Sequence, residues 1–248
     1  MSFPSIRIVG SGLIGTSIGL GLAAKGVEVE MVDLDPKAQK LAQDLMASQR
    51  SGRAIKAAVV LFAIPASSLS QSIEEEYLLN PESIFIDIAS VKTKPQLEVS
   101  KSSIPDSRFL ATHPMAGREV GGAASARADL FQGRSWIYAS TYADGSKVDA
   151  DVLAAGLWMI DLLGATAIEM SAQAHDRAVA LVSHLPQLVA SLLAAQLNGA
   201  DSGQLDLAGA GLRDTTRIAT SDPELWQEII SSNADNLLPL LINLQNDL

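Results

Sequence analysis

Short apolar runs alternate with segments of helical spacing along the first part of the chain. The continuously apolar residues 57–64 are typical of a parallel strand buried on both faces, whereas residues 27–32 alternate. Strands that alternate with helices predict an α/β fold with a doubly wound, Rossmann-type parallel sheet. The pattern predicts strands at 6–9, 27–32, 57–64, 83–88, 108–111 and 134–139, an edge strand at 165–170, and helices at 13–25, 36–49 and 148–163.

From residue 171 onward the spacing is helical, and no strand alternation remains. Apolar residues over 178–197 occupy more than one face, so we expect this helix to pack against its own domain and a second subunit. Pro186 should kink or break it, because proline lacks an amide proton and clashes with the preceding turn. We therefore expect a sheet domain over residues 1–170 and an all-helical, dimerising domain over residues 171–248.

Composition narrows the classes of function. A chain of 248 residues that is 48% apolar can build a substantial core. Its net charge of -10 argues against nucleic acid or an anionic membrane as partner. With no uninterrupted apolar run near twenty residues and no basic leader, we expect a cytoplasmic protein without a membrane span. The lack of cysteine excludes thiolate chemistry, and three histidines make a catalytic metal unexpected.

Glycines at positions 10, 12 and 15 follow the first strand and open the first helix. In such a turn Gly10 reverses the chain, Gly12 lets backbone amides approach a pyrophosphate, and Gly15 lets helix and strand pack closely. The amides of Leu13 and Ile14 would then face the anion. The alternative is an accidental glycine-rich turn.

Asp33 ends the second strand, eighteen residues after Gly15. A carboxylate there can accept hydrogen bonds from both ribose hydroxyls of NAD and would repel the 2′-phosphate of NADP, so NAD is the expected cofactor and NADP the less expected one. Asp33 could also begin a turn in which Asp35 caps a helix that starts at Pro36. Both roles are compatible.

The carboxyl ends of parallel strands meet at one edge of a sheet, where ligands bind. We therefore expect Ile64 with Pro65, Ala89 with Ser90, and Thr112 with His113 to face one crevice. A histidine at the end of a strand is suited to acid–base chemistry, although a histidine before a proline, taken alone, is more often structural.

Further motifs carry a resemblance to a known family. Residues 87–92 (Asp-Ile-Ala-Ser-Val-Lys) and 113–117 (His-Pro-Met-Ala-Gly) resemble the prephenate and arogenate dehydrogenases of tyrosine biosynthesis. Residues 183–186 (Ser-His-Leu-Pro) and 211–217 (Gly-Leu-Arg-Asp-Thr-Thr-Arg) look like signatures of that family's second domain, as does Trp226. The resemblance runs from Ile6 to about Trp226 and also implies a homodimer formed through the C-terminal helices.

The resemblance implies NAD(P)-dependent oxidation of prephenate or arogenate at ring C4, hydride transfer to the nicotinamide and loss of CO2. His113 would accept the proton of the C4 hydroxyl, a role worth about 10²- to 10⁴-fold in rate. Ser90 would hydrogen-bond the imidazole or the substrate hydroxyl. Alternatively, Ser90 caps the helix near Thr93.

The second domain would bind the substrate. Arg217 would pair with a carboxylate, because guanidinium binds carboxylates through two hydrogen bonds. Arg213 is either its neighbour or an exposed charge. Asp214 would orient Arg217, bind a substrate amine, or form a surface ion pair with Arg213. Ser183 and Trp226 belong to the same predicted substrate site.

His184 and Gln187 share one helix face. Many prephenate-using relatives have histidine where this chain has Gln187, so this residue favours arogenate as a possible substrate. A packed, structural His184 is the alternative, and His175 matches no motif and is expected to be structural.

Two other classes of function stay open. A different Rossmann-type reductase, acting on an imine or a ketoacid, would keep the nucleotide motif but would not need His113, Ser90 and Arg217 together. A non-enzymatic, NAD-responsive protein would bind the cofactor without turnover.

Overall fold

The computed structural model describes residues 4–46, 56–117 and 120–247. The chain forms two compact units, Met1–His175, which we call the sheet unit, and Asp176–Leu248, the helical unit. The sequence predicted a boundary at residue 170, where the last strand ends. That domain boundary stays a prediction; the two compact units divide inside the helix that follows that strand.

The sheet unit is built on seven strands in the order β2-β1-β3-β4-β5-β6-β7. Strands β1 to β5 are parallel, which confirms the doubly wound fold. The two further predicted strands are also present; β6 is antiparallel to β5 and β7 is parallel to β6, so the sheet is mostly parallel. The strands are β1 (Ile6–Val9), β2 (Val29–Val32), β3 (Val59–Phe62), β4 (Ile84–Asp87), β5 (Phe109–Pro114), β6 (Ser135–Ala139) and β7 (Thr166–Glu169).

The helices of the sheet unit connect these strands. The first is apolar on most faces and largely buried, which is typical of a helix inside a core. The predicted end of the second helix near Gln49 lies outside the described residues. The helices are α1 (Leu13–Ala23), α2 (Pro36–Met46), α3 (Leu69–Leu79), α4 (Thr93–Val99) and α5 (Ala150–Leu162), with α6 (Ala172–Val179) crossing into the helical unit.

Aromatic packing marks the core between sheet and helices. All four residues of β3 are buried, as expected of a central parallel strand. Phe62 stacks on Phe85 with ring centroids 6.3 Å apart, and Phe131 packs against Trp136 at 5.0 Å. These contacts fix the strand ends from which the candidate site is built.

In the helical unit, a π-helical turn (Ala180–His184) connects α6 to α7 (Leu185–Ala195). Pro186 is the second residue of α7. Because it has no amide proton to donate to the carbonyl four residues before it, a wider turn relieves the clash. The predicted kink or break thus takes the form of a π turn. The remaining helices are α8 (Ser202–Leu205), α9 (Ala210–Thr216), a 3₁₀ turn (Arg217–Thr220), α10 (Pro223–Ser232) and α11 (Ala234–Asp247).

One helical run in the described part of the chain, Ala172–Ala195, is long and apolar enough to cross a membrane by length and composition. The sequence analysis found no such run. Core helices of soluble proteins have the same length and composition. Only 28% of the most apolar segment of this run is buried within the chain, so much of its apolar surface is exposed to solvent unless another surface packs against it.

Candidate active site

The glycine-rich loop has the geometry that its sequence predicts. Gly10 has a φ of 107°, and a Cβ there would lie 2.3 Å from the Ala63 carbonyl oxygen. A Cβ on Gly15 would lie 2.1 Å from the Gly10 carbonyl oxygen, so helix and strand pack at a distance that only glycine permits. A Cβ on Gly12 would meet nothing within 4 Å. The backbone is therefore closely packed at Gly10 and Gly15, whereas the space next to Gly12 is open.

Two polar groups of this loop fit a bound dinucleotide. Gly12 begins α1 without a side-chain cap, so the amides of Leu13 and Ile14 have no capping side chain. The Ser11 hydroxyl is buried and has no hydrogen-bond partner among the described residues. A buried hydroxyl without a partner is costly unless a ligand supplies one, and a phosphate oxygen would do so.

Asp33 forms the predicted turn and keeps acceptor positions for a ribose. Its Oδ2 accepts a hydrogen bond from the Ser11 amide at 2.5 Å, and its Oδ1 accepts one from the Asp35 amide at 2.9 Å. Asp35 in turn caps α2 by accepting from the Lys37 amide at 2.9 Å. The turn is thus observed. An ionised carboxylate has about four acceptor positions, so two remain for ribose hydroxyls.

The predicted strand-end residues lie along one edge of the sheet. Val9, Phe62, Asp87 and Ala111 form one row across β1, β3, β4 and β5. The glycine-rich loop and the other predicted strand-end residues come shortly after this row in the sequence. These are Ile64, Pro65, Ala89, Ser90 and His113, all at least partly exposed. Thr112, also predicted to face the crevice, is instead fully buried, because its hydroxyl bonds to the neighbouring strand.

His113 lies within β5 and not beyond its end as predicted. The strand continues to Pro114 because it pairs with β6, with His113 opposite Ile137. The Nδ1 atom of His113 lies 2.9 Å from Nε2 of His175, a residue that the sequence analysis treated as structural. The ring centroids are 5.1 Å apart in an edge-on arrangement. His175 is buried and therefore held firmly.

Ser90 makes neither of the protein contacts considered for it. Within the described residues its hydroxyl forms no hydrogen bond with His113, whose Nδ1 is occupied by His175. The N-cap of α4 is Lys92, so Ser90 does not cap that helix. A contact between Ser90 and the substrate hydroxyl stays a prediction.

A buried ion pair supports β5 from its neighbour β4. Lys92 Nζ lies 2.5 Å from Oδ2 of Asp87 and also donates to the Thr112 carbonyl. Asp87 Oδ1 accepts from the Thr112 amide at 3.2 Å, and the Thr112 hydroxyl donates to the Asp87 carbonyl at 2.7 Å. Burial raises the pKa of Asp87, while Lys92 and the backbone amides oppose that rise. The network fixes the backbone next to His113.

In the helical unit, the predicted charged residues lie at the surface. Arg217 begins the 3₁₀ turn after α9, and Arg213 and Asp214 precede it on α9; all three are exposed. Arg213 donates a long hydrogen bond, 3.4 Å, to the Ala208 carbonyl. Asp214 makes no ion pair with either arginine in the described structure, so the ion-pair interpretation is not observed.

His184 and Gln187 are buried in the helical unit. Asn233 donates its side-chain amide to the Asp176 carbonyl at 2.7 Å and to Nδ1 of His184 at 3.1 Å. Trp226 meets the His184 ring edge-on at 6.0 Å. His184 is thus packed between Asn233 and Trp226, and its contact with substrate stays a prediction; Ser183 beside it is half-buried.

Gln187 has a structural contact of its own. Its side-chain amide donates to the carbonyl of Ile218 at 3.0 Å, and Ile218 is the residue immediately after Arg217. Gln187 thus anchors the turn that carries the arginine. This contact joins residues of two different helical segments.

Sequence reasoning missed His175, the Asp87–Lys92 pair and Asn233 as parts of these clusters. Asp87 and Lys92 did appear in a recognised motif, and a charged pair inside an apolar stretch is a usable signal. His175 and Asn233 offer no local signal, because their partners are far along the chain.

Two family models match the chain. The model for the prephenate dehydrogenase nucleotide-binding domain matches residues 18–155, and the model for the prephenate dehydrogenase dimerization domain matches residues 171–248. The chain belongs to the prephenate dehydrogenase family. The first match begins inside α1, so the interpretation of the glycine-rich loop rests on its geometry.

Relatives with prephenate or cyclohexadienyl dehydrogenase names extend over nearly the whole chain. NovF of Streptomyces niveus, named a probable prephenate dehydrogenase, is 32% identical over 97% of this chain and 66% of its own length. A cyclohexadienyl dehydrogenase of Zymomonas mobilis is 30% identical over 99% of this chain and 86% of its own. This chain thus spans about two thirds of NovF.

A solved prephenate dehydrogenase has the same fold. The enzyme of A. aeolicus, in complex with hydroxyphenyl propionate and NAD+, superposes with a TM-score of 0.88 at 25% identity. The match covers 100% of this chain and 88% of that one. The A. aeolicus enzyme therefore shares the fold of this chain.

Proposed function

We propose that this protein catalyses the NAD-dependent oxidative decarboxylation of prephenate, of arogenate, or of both. Family membership supports the reaction class. The observation that carries the proposal is a histidine, His113, on the edge of the sheet that also bears the glycine-rich loop, with one ring nitrogen held by a buried partner. An oriented imidazole beside a nucleotide site is suited to oxidation of an alcohol.

His113 acts as the proton acceptor. Oxidation of the C4 hydroxyl releases one proton and one hydride, and the neutral imidazole takes the proton. The nicotinamide of NAD, when bound, supplies the hydride acceptor. The ring carboxylate then leaves as CO2 and the ring becomes aromatic. Ser90, half-buried three residues after the end of β4, hydrogen-bonds the substrate hydroxyl and orients it.

Arg217 binds a substrate carboxylate. Its position at the start of an exposed turn, anchored by Gln187 through Ile218, supports this role. Arg213, Asp214, Ser183 and Trp226 are proposed as further substrate contacts. Because the Gln187 amide already binds a backbone carbonyl, its effect on the choice between prephenate and arogenate is indirect.

NAD is the preferred cofactor and NADP the less favoured one. Asp33 keeps acceptor positions for ribose hydroxyls, and its negative charge opposes a 2′-phosphate. The loop residues Gly10, Gly12, Leu13, Ile14 and Gly15 bind the pyrophosphate, and Ile64, Pro65 and Ala89 border the nucleotide.

The protein forms a homodimer through the helical unit. Leu181, Val182, Leu192 and Leu193 lie exposed on the run Ala172–Ala195 and would be covered by a second copy. The match to a dimerization domain supports this assembly. A cytoplasmic location stays a prediction.

Formation of NADH or NADPH, followed by absorbance at 340 nm, tests the function, with prephenate and arogenate each offered with NAD and with NADP. We expect turnover of at least one substrate. His113→Asn should lower kcat by about 10²- to 10⁴-fold with a small change in KM. Arg217→Ala should raise KM, by about 10-fold or more, because it removes charge-assisted hydrogen bonds.

Arg127→Ala is the control, since Arg127 pairs with Asp129 at the surface. Its kinetic constants should match those of the wild type. Absence of turnover with all four substrate and cofactor pairs would contradict the proposed function and would favour the NAD-responsive binding protein. Equal, small effects in both site variants would show that the roles are wrongly assigned.

A further inference from the structure

His175 lies against the proposed proton acceptor. Nδ1 of His113 and Nε2 of His175 are 2.9 Å apart, and the rings meet edge-on with an interplanar angle of 77°. His175 is 1% exposed. The contact therefore joins a fixed, buried imidazole to a partly exposed one.

A hydrogen bond between two neutral imidazoles needs one N–H group and one lone pair. If His175 donates from Nε2, Nδ1 of His113 accepts and Nε2 of His113 carries the proton. If His113 donates from Nδ1, Nε2 of His175 accepts and Nε2 of His113 keeps a lone pair. The two arrangements place the lone pair of His113 on different nitrogens.

The second arrangement leaves His113 ready to accept a proton. Because Nδ1 is directed at His175, the proposed acceptor role falls to Nε2. A proton on Nε2 would remove that capacity, since a protonated ring nitrogen has no lone pair. The hydrogen bond at one nitrogen of an imidazole thus decides the function of the other.

We propose that His175 is a positioning residue that holds His113 in its Nδ1–H tautomer, so that Nε2 accepts the proton of the substrate hydroxyl. The inference rests on the proposed function, because it assigns His113 as the acceptor. His175 performs the orienting task that an aspartate performs in a serine–histidine–aspartate triad, but without a negative charge.

The same hydrogen bond persists during the reaction. When Nε2 takes the proton, the imidazolium still donates its Nδ1–H to the lone pair of His175, so the ring does not need to reorient. This is preorganisation, in which the partner is in place before charge develops. Ser90 was expected to orient the ring, and His175 takes over that task.

Nitrogen NMR on the full-length protein tests the tautomer without substrate. With three histidines in the chain, 15N-histidine labelling gives three rings, assigned by the variants His113→Asn and His175→Gln. We expect a protonated Nδ1 and an unprotonated Nε2 on His113. A protonated Nε2 on neutral His113 would overturn the proposal.

Kinetics of two variants separate positioning from packing. His175→Leu removes the acceptor, so kcat should fall by about 10- to 100-fold with little change in KM. His175→Gln keeps a carbonyl oxygen near the position of Nε2 and should recover most of that loss together with the Nδ1–H signal. If Gln is as impaired as Leu while its circular dichroism spectrum matches that of the wild type, the proposal fails.

The two proposals fail differently. Loss of the proposed function appears as no turnover of either substrate by the wild type. The tautomer of His113 is measured independently of turnover, so an Nδ1–H signal that disappears in His175→Leu and returns in His175→Gln supports the positioning role in either case. A tautomer unchanged in His175→Leu would overturn it.

Discussion

Asp33 combines a structural role in a turn with a proposed role in binding ribose, and the two roles can be separated by mutation. Its carboxylate binds the amides of Ser11 and Asp35 and is proposed to bind ribose. We expect the wild type to have a higher kcat/KM with NAD than with NADP. Asp33→Asn removes the charge that repels a 2′-phosphate, so this ratio should fall by about 10-fold, the effect of 1.4 kcal/mol.

The control for Asp33 is Asp35→Asn, which changes a neighbouring carboxylate that caps α2. Its cofactor preference should stay at the wild-type ratio. A wild type that prefers NADP, or an equal change in both variants, would contradict the role of Asp33.

Tyr142 gives a pH-dependent prediction. Burial, and then the carboxylates of Asp106, Asp87 and Asp144, raise the pKa of its phenol well above the ordinary value of about 10. The unfolded chain therefore loses this proton at a lower pH than the folded protein. The stability that Tyr142 contributes is complete below about pH 10 and is lost as pH rises toward the folded pKa, at up to about 1.4 kcal/mol per pH unit.

Urea unfolding between pH 8 and pH 11 measures this loss. Tyr142→Phe should show a smaller decrease in the free energy of unfolding than the wild type, and the control Tyr77→Phe should show the full decrease. Parallel curves for wild type and Tyr142→Phe would be evidence against a raised pKa.

At the residue scale, sequence reasoning succeeded where the cause is local. Gly10 and Gly15 were identified from their spacing between a strand and a helix. That spacing is informative because a side chain at either position would collide with the backbone. The contact between His113 and His175 was not found, since 62 residues separate the two rings and no periodic pattern connects them.

At the scale of elements, the ends of β4 and β5 are held by the pair Asp87–Lys92. Lys92→Met would leave a buried carboxylate without its cation, so we expect a loss of about 3–5 kcal/mol in the free energy of unfolding. The double variant with Asp87→Asn should be less destabilised, because the orphaned charge is gone. Urea unfolding of the full-length protein gives the measurement.

The exposed pair Lys40–Asp44, at 3.2 Å, is the control for that variant. Lys40→Met should change the free energy of unfolding by less than about 1 kcal/mol, since exposed ion pairs contribute little. Similar losses in Lys92→Met and Lys40→Met would mean that the buried pair does not hold the strand ends.

Elements were predicted well from periodicity and less well where pairing decides them. The expected β5 ended at Ala111, yet it runs to Pro114 because β6 supplies partners for the last residues. The reversed direction of β6 and β7 also depends on contacts across the sheet, and apolar spacing does not encode direction.

For the whole molecule, the exposed apolar residues of the run Ala172–Ala195 predict assembly. Leu192 is 54% exposed, and Leu192→Lys should shift the protein from dimer toward monomer in sedimentation velocity, because a charge would be buried at the interface. Leu78→Lys on α3, at an 82% exposed site, should leave the dimer intact. A monomeric wild type, or equal effects of both variants, would contradict the proposed interface.

The π turn over Ala180–His184 sets the rotation of α7 about its axis relative to α6. Each residue of an α-helix advances by about 100°, so deleting one residue here would rotate α7 by that angle relative to Val179. Gln187 and Ala190, now buried, would leave their neighbours, and Arg217 would lose the anchor of its turn. Changes in length at this turn should therefore disturb the packing within the helical unit far more than substitutions of Leu181 and Val182, whose side chains are exposed in the single chain.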